Sequence, residues 1–413
     1  MHEICDKIDR LNPEIQAFLP EEGRRERLLK DAAKLEQLYG NSPRKPPLYG
    51  VPVGLKDLIR TDGLPTRAGS KLPPGVFGGA EAECVSKLRT AGALIIGKTV
   101  TTEFAYYEPG PTRNPHNLEH TPGGSSSGSA AAIAAGMCTL ALGTQTVGSI
   151  IRPAAFCGII GFKPSYGRIS RDGVIDFSPS MDHVGIFAPD VAGIKQAALV
   201  LCTRWSVGEI EMQLETGDEE PPILGVPEGP YLEQALPETL EFFEKQLTRL
   251  KAAGYIIKRV PLFADIKEIN TRHSRLIAAE VAQVHKSWFS RFGELYGPRI
   301  AGVIKTGQMV NEGEAAEMEE EALLFREEIH QVMKRNGVEC WVAPSALGEA
   351  PQGLLSTGDP AMNLPWTHAG VPAINLPAGK GRNGLPLGLQ FVAPFMRDEA
   401  LLVWADDLER VLT

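Results

Sequence analysis

One stretch, residues 121–153, differs from every other stretch of similar length in the chain. It reads TPGGSSSGSAAAIAAGMCTLALGTQTVGSIIRP, and Arg152 is its single charged residue. Glycine lets the backbone approach other groups closely, and small hydroxyl side chains supply nucleophiles and hydrogen bonds in little space. This composition indicates a site that is built largely from backbone groups.

Two simpler explanations of this stretch fit its surroundings poorly. A Gly/Ser-rich run is often a flexible linker, but this one passes directly into an alanine-rich helix former at residues 129–137 and an apolar segment at 139–142. Such a run before a helix can also bind phosphate, yet the Lys-Ser/Thr ending of a P-loop is absent here. A site for other chemistry is therefore the better interpretation.

A second pattern, GALIIGKT at residues 92–99, fits the letters of a P-loop. A P-loop needs its four middle residues in a loop between a strand and a helix, whereas ALII is itself an apolar strand pattern. No helical pattern follows at once. We therefore expect a strand at this place and no nucleotide site.

The whole chain has the composition of an ordinary globular protein. Of its 413 residues, 43% are hydrophobic and 23% are charged. The formal net charge of -9 argues against a nucleic-acid partner, which would require a basic surface. The sequence contains no long apolar span. We expect no signal peptide, because the opening MHEICDKIDRLNP is charged and predicts an amphipathic helix. A cytoplasmic protein without a membrane partner is expected.

The cysteines and histidines show neither a disulfide pattern nor a metal-binding pattern. The six cysteines lack C-x-x-C spacing, and the eight histidines include no H-E-x-x-H motif. In a chain of this length such cysteines are expected to be buried free thiols. We predict no metal site and no cofactor.

The second half of the chain predicts architecture more than chemistry. The acidic segment 204–222 predicts a surface connection between two lobes. A strand-helix-strand unit follows it. Residues 265–337 then predict an almost wholly helical insertion, with Leu324, His330 or Met333 facing inward by helical spacing.

Lys56 and Asp57 interrupt the apolar segment GVPVGLKDLI at residues 50–59. A buried ammonium group without partners is energetically unfavourable, so a lysine in such a segment needs an explanation. The segment alone favours the end of a strand from which the lysine reaches solvent.

Taken together, these segments resemble the amidase signature family, whose motif is a Gly-Gly-Ser-Ser-Gly-Gly-Ser run followed by a Gly-Gly-Ser-Ile-Arg turn. The chain has GGSSSGSAAAIAAG and GTQTVGSIIRPAAFCG at these places, GVPVGLKDLI at the family's lysine segment, and GVPAINLPAG and GLPLGLQFVAP downstream. The resemblance covers nearly the whole chain. It implies one α/β domain over residues 1–413, in which a central mixed β-sheet is covered by helices on both faces and the catalytic core spans about 45–200.

The resemblance also implies a catalytic triad of Lys56, Ser125 and Ser149. In the family, the first serine after the glycine pair follows a cis peptide bond and bridges the lysine to the nucleophile, which gives Ser125 the bridging role and Ser149 the attack. A serine hydroxyl needs a base, and no histidine stands at a matching place. A lysine can serve only when it is neutral, and lowering its pKa from about 10.4 to about 7 requires burial and suitable neighbours. The expectation for Lys56 thereby changes from solvent-reaching to catalytic.

By the same resemblance, the oxyanion hole consists of the backbone amides of Thr146, Val147, Gly148 and Ser149. Such donors stabilise the tetrahedral intermediate of acyl transfer. At Val147 the family has a glycine, and valine disfavours the positive φ that glycine allows, which bears on the geometry of the turn.

The family's turn also begins with an aspartate and ends with an arginine, and this chain has Gln145 and Ile151 there. An arginine follows one place later, as Arg152. With the segments NPHN, GTQT, IRPA and STGDP, this resembles the malonamidase branch, in which an arginine at that position is associated with a substrate carboxylate. Arg152 is therefore either a carboxylate anchor for the substrate or a buried structural arginine paired with a carboxylate of the protein.

The function implied is that of an amidase, a hydrolase that cleaves a small-molecule amide to an acid and ammonia or an amine through an acyl-enzyme. The substrate would bear a carboxylate, or be an aryl amide or carbamate, in a pocket built by residues 104–120, 174–183 and 265–337. No cofactor is implied, and a homodimer is the default expectation. One alternative is the catalytic component of an amidotransferase that works with partner subunits. Another is a non-catalytic binding protein on the same scaffold, for which Val147 is the one argument.

Overall fold

The computed structural model describes residues 1–205 and 221–413, which contain ten strands and thirteen α-helices. The strands are β1 Pro52–Lys56, β2 Leu94–Thr99, β3 Leu140–Gln145, β4 Ile160–Lys163, β5 His183–Ala188, β6 Leu224–Glu228, β7 Ile257–Pro261, β8 Cys340–Pro344, β9 Ala373–Lys380 and β10 Pro386–Val392. The helices are α1 His2–Ile15, α2 Arg24–Tyr39, α3 Glu83–Thr90, α4 Ser127–Ala134, α5 Ile151–Cys157, α6 Val191–Leu201, α7 Pro237–Ala252, α8 Ile266–Val284, α9 Lys286–Phe292, α10 Pro298–Gly307, α11 Glu312–Asn336, α12 Leu364–His368 and α13 Asp398–Leu412.

All ten strands form one sheet in the order β2-β1-β3-β5-β4-β9-β10-β8-β6-β7. The pairs at both ends of the sheet are parallel, and the pairs from β3 through β8 are antiparallel. The predicted α/β fold with a central mixed sheet is confirmed.

Helices cover both faces of this sheet. In β3, Leu140 and Leu142 belong to one apolar core, which also contains residues of α3 and α6. Ala141 belongs to a second core, with residues of α1 and α4. Since side chains alternate between the two faces of a strand, the two cores lie on opposite sides of the sheet.

Several local predictions can be compared with this architecture. Residues 94–99 of the P-loop-like pattern form strand β2. The Lys98 side chain is buried, and its Nζ lies 3.2 Å from Oδ1 of Asp57. The six cysteines, Cys5, Cys84, Cys138, Cys157, Cys202 and Cys340, are all buried free thiols. Most of the predicted surface connection at 204–222 lies outside the described residues. No described helix combines the length and apolar composition that crossing a membrane would need.

The helical segment 265–337 holds α8 to α11, but the inward prediction for Leu324 is wrong. Leu324 is 65% exposed, whereas Ala322, Ile329 and Met333 of α11 are buried. A step of two residues turns a helix by about 200°, so Leu324 points away from the buried face that Ala322 belongs to.

The fold brings two distant segments together at one edge of the sheet. β1 and β3 are parallel neighbours, with Leu55 opposite Leu142, so their C-terminal ends place Lys56 beside Thr144. The small residues of α4 then pack closely over these strands. At Gly128 a β-carbon would lie 2.3 Å from backbone atoms of Ala17 and Val100, so only glycine fits there.

Candidate active site

Lys56, the last residue of β1, has no exposed surface. Its Nζ lies 2.7 Å from Ser125 Oγ, 2.8 Å from Thr144 Oγ1 and 3.3 Å from the Thr144 carbonyl oxygen. The expectation drawn from its own segment, that the lysine reaches solvent, is wrong. The loop before α4 and the end of β3 cover the side chain and supply the partners that water would otherwise provide.

The surroundings of Lys56 favour its neutral form. Burial lowers the pKa of Lys56 well below that of an ordinary lysine, and the carboxylate of Asp182 opposes the shift. Burial also raises the pKa of Asp182 to about 6. The Asp182 carboxylate is engaged elsewhere, since it accepts hydrogen bonds from Thr146 Oγ1 at 2.5 Å and from the amides of Phe177 and Ser178 at 2.7 and 2.9 Å.

Ser125 lies between this lysine and a pocket. The peptide bond between Gly124 and Ser125 is cis, and Ser125 is almost fully buried. The next residue, Ser126, binds Thr144 twice, because its Oγ donates to the Thr144 carbonyl oxygen at 3.2 Å and accepts from the Thr144 amide at 3.3 Å. The segment is thus fastened against the end of β3.

The turn after β3 carries Ser149. Where the family has an aspartate, Gln145 closes the turn, because its Oε1 accepts hydrogen bonds from the amides of Ile150 and Ile151 at 2.7 and 3.0 Å. The φ angle of Val147 is not positive, so valine can adopt the backbone conformation of the turn at this position. Gly148 is required for space, since a β-carbon there would lie 2.5 Å from Asn363 Oδ1.

Backbone donors of this turn are left free. The amide N–H groups of Val147, Gly148 and Ser149 donate to no acceptor within the described residues. Thr146 is held on two sides, since its Oγ1 binds Asp182 and its carbonyl oxygen lies 3.1 Å from His273 Nε2. A developing negative charge above the turn would therefore meet unpaired N–H groups.

The turn and Ser125 border one pocket with an empty volume of about 600 Å³. Six of the seven predicted site residues line it, and Lys56 lies beneath them behind Ser125. The wall also includes parts of all three predicted wall segments, 104–120, 174–183 and 265–337. The lining residues are Ala105, Tyr106, Tyr107, Ser125, Thr146, Val147, Gly148, Ser149, Arg152, Phe177, His273, Ser274, Ile277, Val303, Thr357, Pro360 and Leu364.

Arg152, on the first turn of α5, is 2% exposed and reaches the same pocket. Its Nη2 donates to the Gly124 carbonyl oxygen at 2.7 Å and to Thr357 Oγ1 at 3.2 Å. Its Nε and Nη1 are buried and have no hydrogen-bond partner within the described residues. Burial lowers the pKa of Arg152 to about 10, which leaves the guanidinium charged near neutral pH.

Sequence reasoning did not single out four polar residues of this region: Thr144, Asp182, His273 and Thr367. A signal existed for His273. It lies four residues after Ile269 and three before Leu276, both buried in α8, so it is a polar residue on the apolar face of a helix. Among the described residues, no group of three or more His, Cys, Asp or Glu side chains could hold a metal ion.

Comparison with known proteins identifies the family and the fold of the chain. The model of the amidase family matches residues 1–402. The chain is 31% identical to the A subunit of the glutamyl-tRNA(Gln) amidotransferase of Koribacter versatilis, over 98% of this chain and 93% of that protein. A crystal structure of an amidase superposes with a TM-score of 0.86 at 30% identity, covering 100% of this chain and 95% of the other. The native peptide amidase from Stenotrophomonas maltophilia superposes with a TM-score of 0.84 at 25% identity, covering 100% and 92%. The chain belongs to the amidase signature family.

Proposed function

We propose that this chain is an amidase in which Ser149 is the nucleophile, Ser125 relays its proton and Lys56 is the base. The observation that carries the proposal is the fully buried Lys56 amine, 2.7 Å from Ser125 Oγ, beneath the pocket that Ser149 borders. A buried lysine whose pKa is lowered can accept a proton near neutral pH, and pairing of serine with lysine is a known variant of the nucleophile-base arrangement.

The reaction then follows in two halves. Ser149 Oγ attacks the amide carbonyl carbon while its proton passes through Ser125 to Lys56. The carbonyl oxygen becomes an oxyanion next to the free amides of the turn. The carbon–nitrogen bond breaks as the proton is returned to the leaving nitrogen, which departs as ammonia or an amine. Water attacks the acyl-enzyme by the same proton route and releases the acid.

The substrate we propose is a small amide that carries a carboxylate. Arg152 supports this choice because two of its buried donors have no protein partner among the described residues and its guanidinium lies at the pocket wall. An arginine fork binds a carboxylate through paired hydrogen bonds. This is the property that the resemblance to the malonamidase branch implies. The apolar part of the wall, with Phe177, Ile277 and Val303, gives room for an aliphatic or aryl group.

A second candidate is a component of an amidotransferase that works with partner subunits. The amidotransferase protein of Koribacter versatilis supports it, since the likeness extends over 98% of this chain. In that case the isolated chain would release ammonia from simple amides poorly, and a partner and an acceptor would be needed for turnover.

Ammonia and amine release by the purified chain, without tRNA or ATP, tests the proposal. The panel pairs the half-amides of short dicarboxylic acids with neutral amides of equal length, and adds glutamine, aryl amides and carbamates. We expect turnover of the carboxylate-bearing members and none by Ser149→Ala. Activity confined to glutamine and dependent on partner subunits would favour the amidotransferase. Full turnover by Ser149→Ala would refute the proposed nucleophile.

A further inference from the structure

Two side chains from distant helices reach the carbonyl oxygens of the turn that carries Ser149. His273 of α8 places Nε2 3.1 Å from the carbonyl oxygen of Thr146. Thr367 of α12 donates from Oγ1 to the carbonyl oxygen of Val147 at 2.6 Å. Neither contact is part of the backbone hydrogen bonding of a helix or a strand.

Each contact fixes the direction of one amide N–H. A trans peptide group is planar, and its C=O and N–H point in opposite directions. The carbonyl of Thr146 shares its peptide group with the amide of Val147, and the carbonyl of Val147 shares its group with the amide of Gly148. A hydrogen bond that holds each carbonyl oxygen on one side of its peptide group therefore directs the N–H of the same group to the opposite side. The N–H groups of Val147 and Gly148 have no acceptor among the described residues, and both residues border the pocket.

The hydrogen-bonding pattern defines the state of both side chains. A carbonyl oxygen only accepts, so Nε2 of His273 must carry its proton. Nδ1 of a neutral His273 then accepts from His368 Nδ1, which is 3.2 Å away. Burial lowers the pKa of His273 well below its ordinary value, in keeping with a neutral ring. Thr367 Oγ1 in turn accepts from Gln145 Nε2 at 2.9 Å. Two carbonyl oxygens lie within reach of the Thr367 hydroxyl proton, and that of Val147 at 2.6 Å is closer than that of Asn363 at 3.1 Å.

We propose that His273 and Thr367 are positioning residues that aim the amides of Val147 and Gly148 at the oxyanion of the tetrahedral intermediate. This inference rests on the proposed amidase function. It gives the helical segment 265–337 a part in the chemistry, besides forming a pocket wall, because His273 belongs to α8. A misdirected donor loses part of an interaction that forms in the transition state, so kcat is expected to fall while KM stays nearly constant.

The test compares variants that remove each donor with variants that keep one. His273→Leu and Thr367→Val remove the hydrogen bond to the turn, while His273→Gln and Thr367→Ser retain an N–H or O–H donor. Two control variants change buried or half-buried groups of the same type elsewhere. His330→Gln alters a histidine of α11 that contacts the amide of Phe395, and Thr239→Val alters a buried threonine of α7 whose hydroxyl has no described partner.

Two readouts are taken for each variant: the separate values of kcat and KM, and the affinity for a trifluoromethyl ketone shaped like the best amide of the panel. The ketone forms a tetrahedral adduct with an anionic oxygen and so reports directly on the oxyanion hole. We expect His273→Leu and Thr367→Val to lower kcat about 10- to 100-fold, below the roughly 10²- to 10³-fold loss typical of deleting a donor, and to weaken the ketone in parallel. The donor-retaining variants should recover part of the loss, and the controls should stay within about twofold.

The outcomes separate this inference from the proposed function. If the native chain turns over amides and Ser149→Ala does not, the function stands. Two results would then overturn the positioning role alone. One is an unchanged ketone affinity in both donor-removing variants, and the other is a loss of kcat in the donor-retaining variants equal to that in the donor-removing ones. If His273→Leu does not fold, His273→Gln and the two Thr367 variants still decide the matter.

Discussion

At the scale of single residues, the role proposed for Lys56 predicts how activity depends on pH. Burial in the folded protein favours the neutral amine and so lowers the pKa of Lys56. The amine becomes protonated only when the pH falls below this lowered pKa. Because only the neutral amine accepts a proton, kcat/KM should rise with pH as Lys56 loses its proton and then level off. The pH profile of kcat/KM measures this limb directly.

Lys56→Arg is the matched variant, since it keeps a long cationic side chain that cannot lose its proton. We expect it to lower kcat/KM at least about 100-fold, within the range that general-base catalysis contributes. A variant that kept both the native rate and the native pH limb would contradict the role of Lys56.

Arg152 gives a prediction about specificity. Arg152→Met should raise KM for carboxylate-bearing amides about 10- to 100-fold, because a hydrogen bond to a charged group contributes about 1.5–3 kcal/mol. A neutral amide of equal length should be affected much less. Steady-state kinetics on the matched pair distinguish the two roles of this residue, and equal losses on both substrates would favour the structural one.

At the scale of elements, the turn after β3 has no space for a larger residue at Gly148. In Gly148→Ala, the new β-carbon would meet Asn363 Oδ1 at 2.5 Å and Pro360 Cβ at 2.8 Å, so the turn must shift. Overpacking of this kind lowers stability by about 1–3 kcal/mol, and we expect kcat to fall as the amides move.

The control for this variant is Gly302→Ala in α10, where nothing lies within 4 Å of the added carbon. Alanine has a higher helix propensity than glycine, so the midpoint of thermal unfolding should stay equal or rise. The change should leave kcat unaltered. A native kcat in Gly148→Ala would mean that the turn can accept the methyl group. It would contradict the tight packing described for Gly148.

The sequence predicted the elements of the site better than their surroundings. The small-residue stretch and the lysine segment could be recognised because their composition is unusual and their order matches a family motif. Lys56 could not be judged from its own segment, since the groups that bury it come from residues 69 and 88 positions later in the chain. His273 and Thr367 contact the turn across 127 and 220 residues of sequence, and no local sequence pattern records such contacts.

At the scale of the whole molecule, the sheet and the helical segment together assemble the site. Parallel strands β1 and β3 end at the same edge and bring Lys56 to Thr144, while α8 and α12 approach the turn from outside the sheet. The described chain holds every group that the proposed reaction uses, so we expect turnover without partner subunits. The homodimer remains a prediction, which analytical ultracentrifugation at several concentrations would check.

The most direct test of the central claim is reaction of the folded chain with a sulfonyl fluoride, followed by intact mass and peptide mapping. Only a serine activated by a base reacts readily with such a reagent. The proposed mechanism predicts one adduct per chain, located on Ser149, absent from Ser149→Ala and formed much more slowly by Lys56→Arg. Labelling of another serine, or equal labelling of all three proteins, would contradict it.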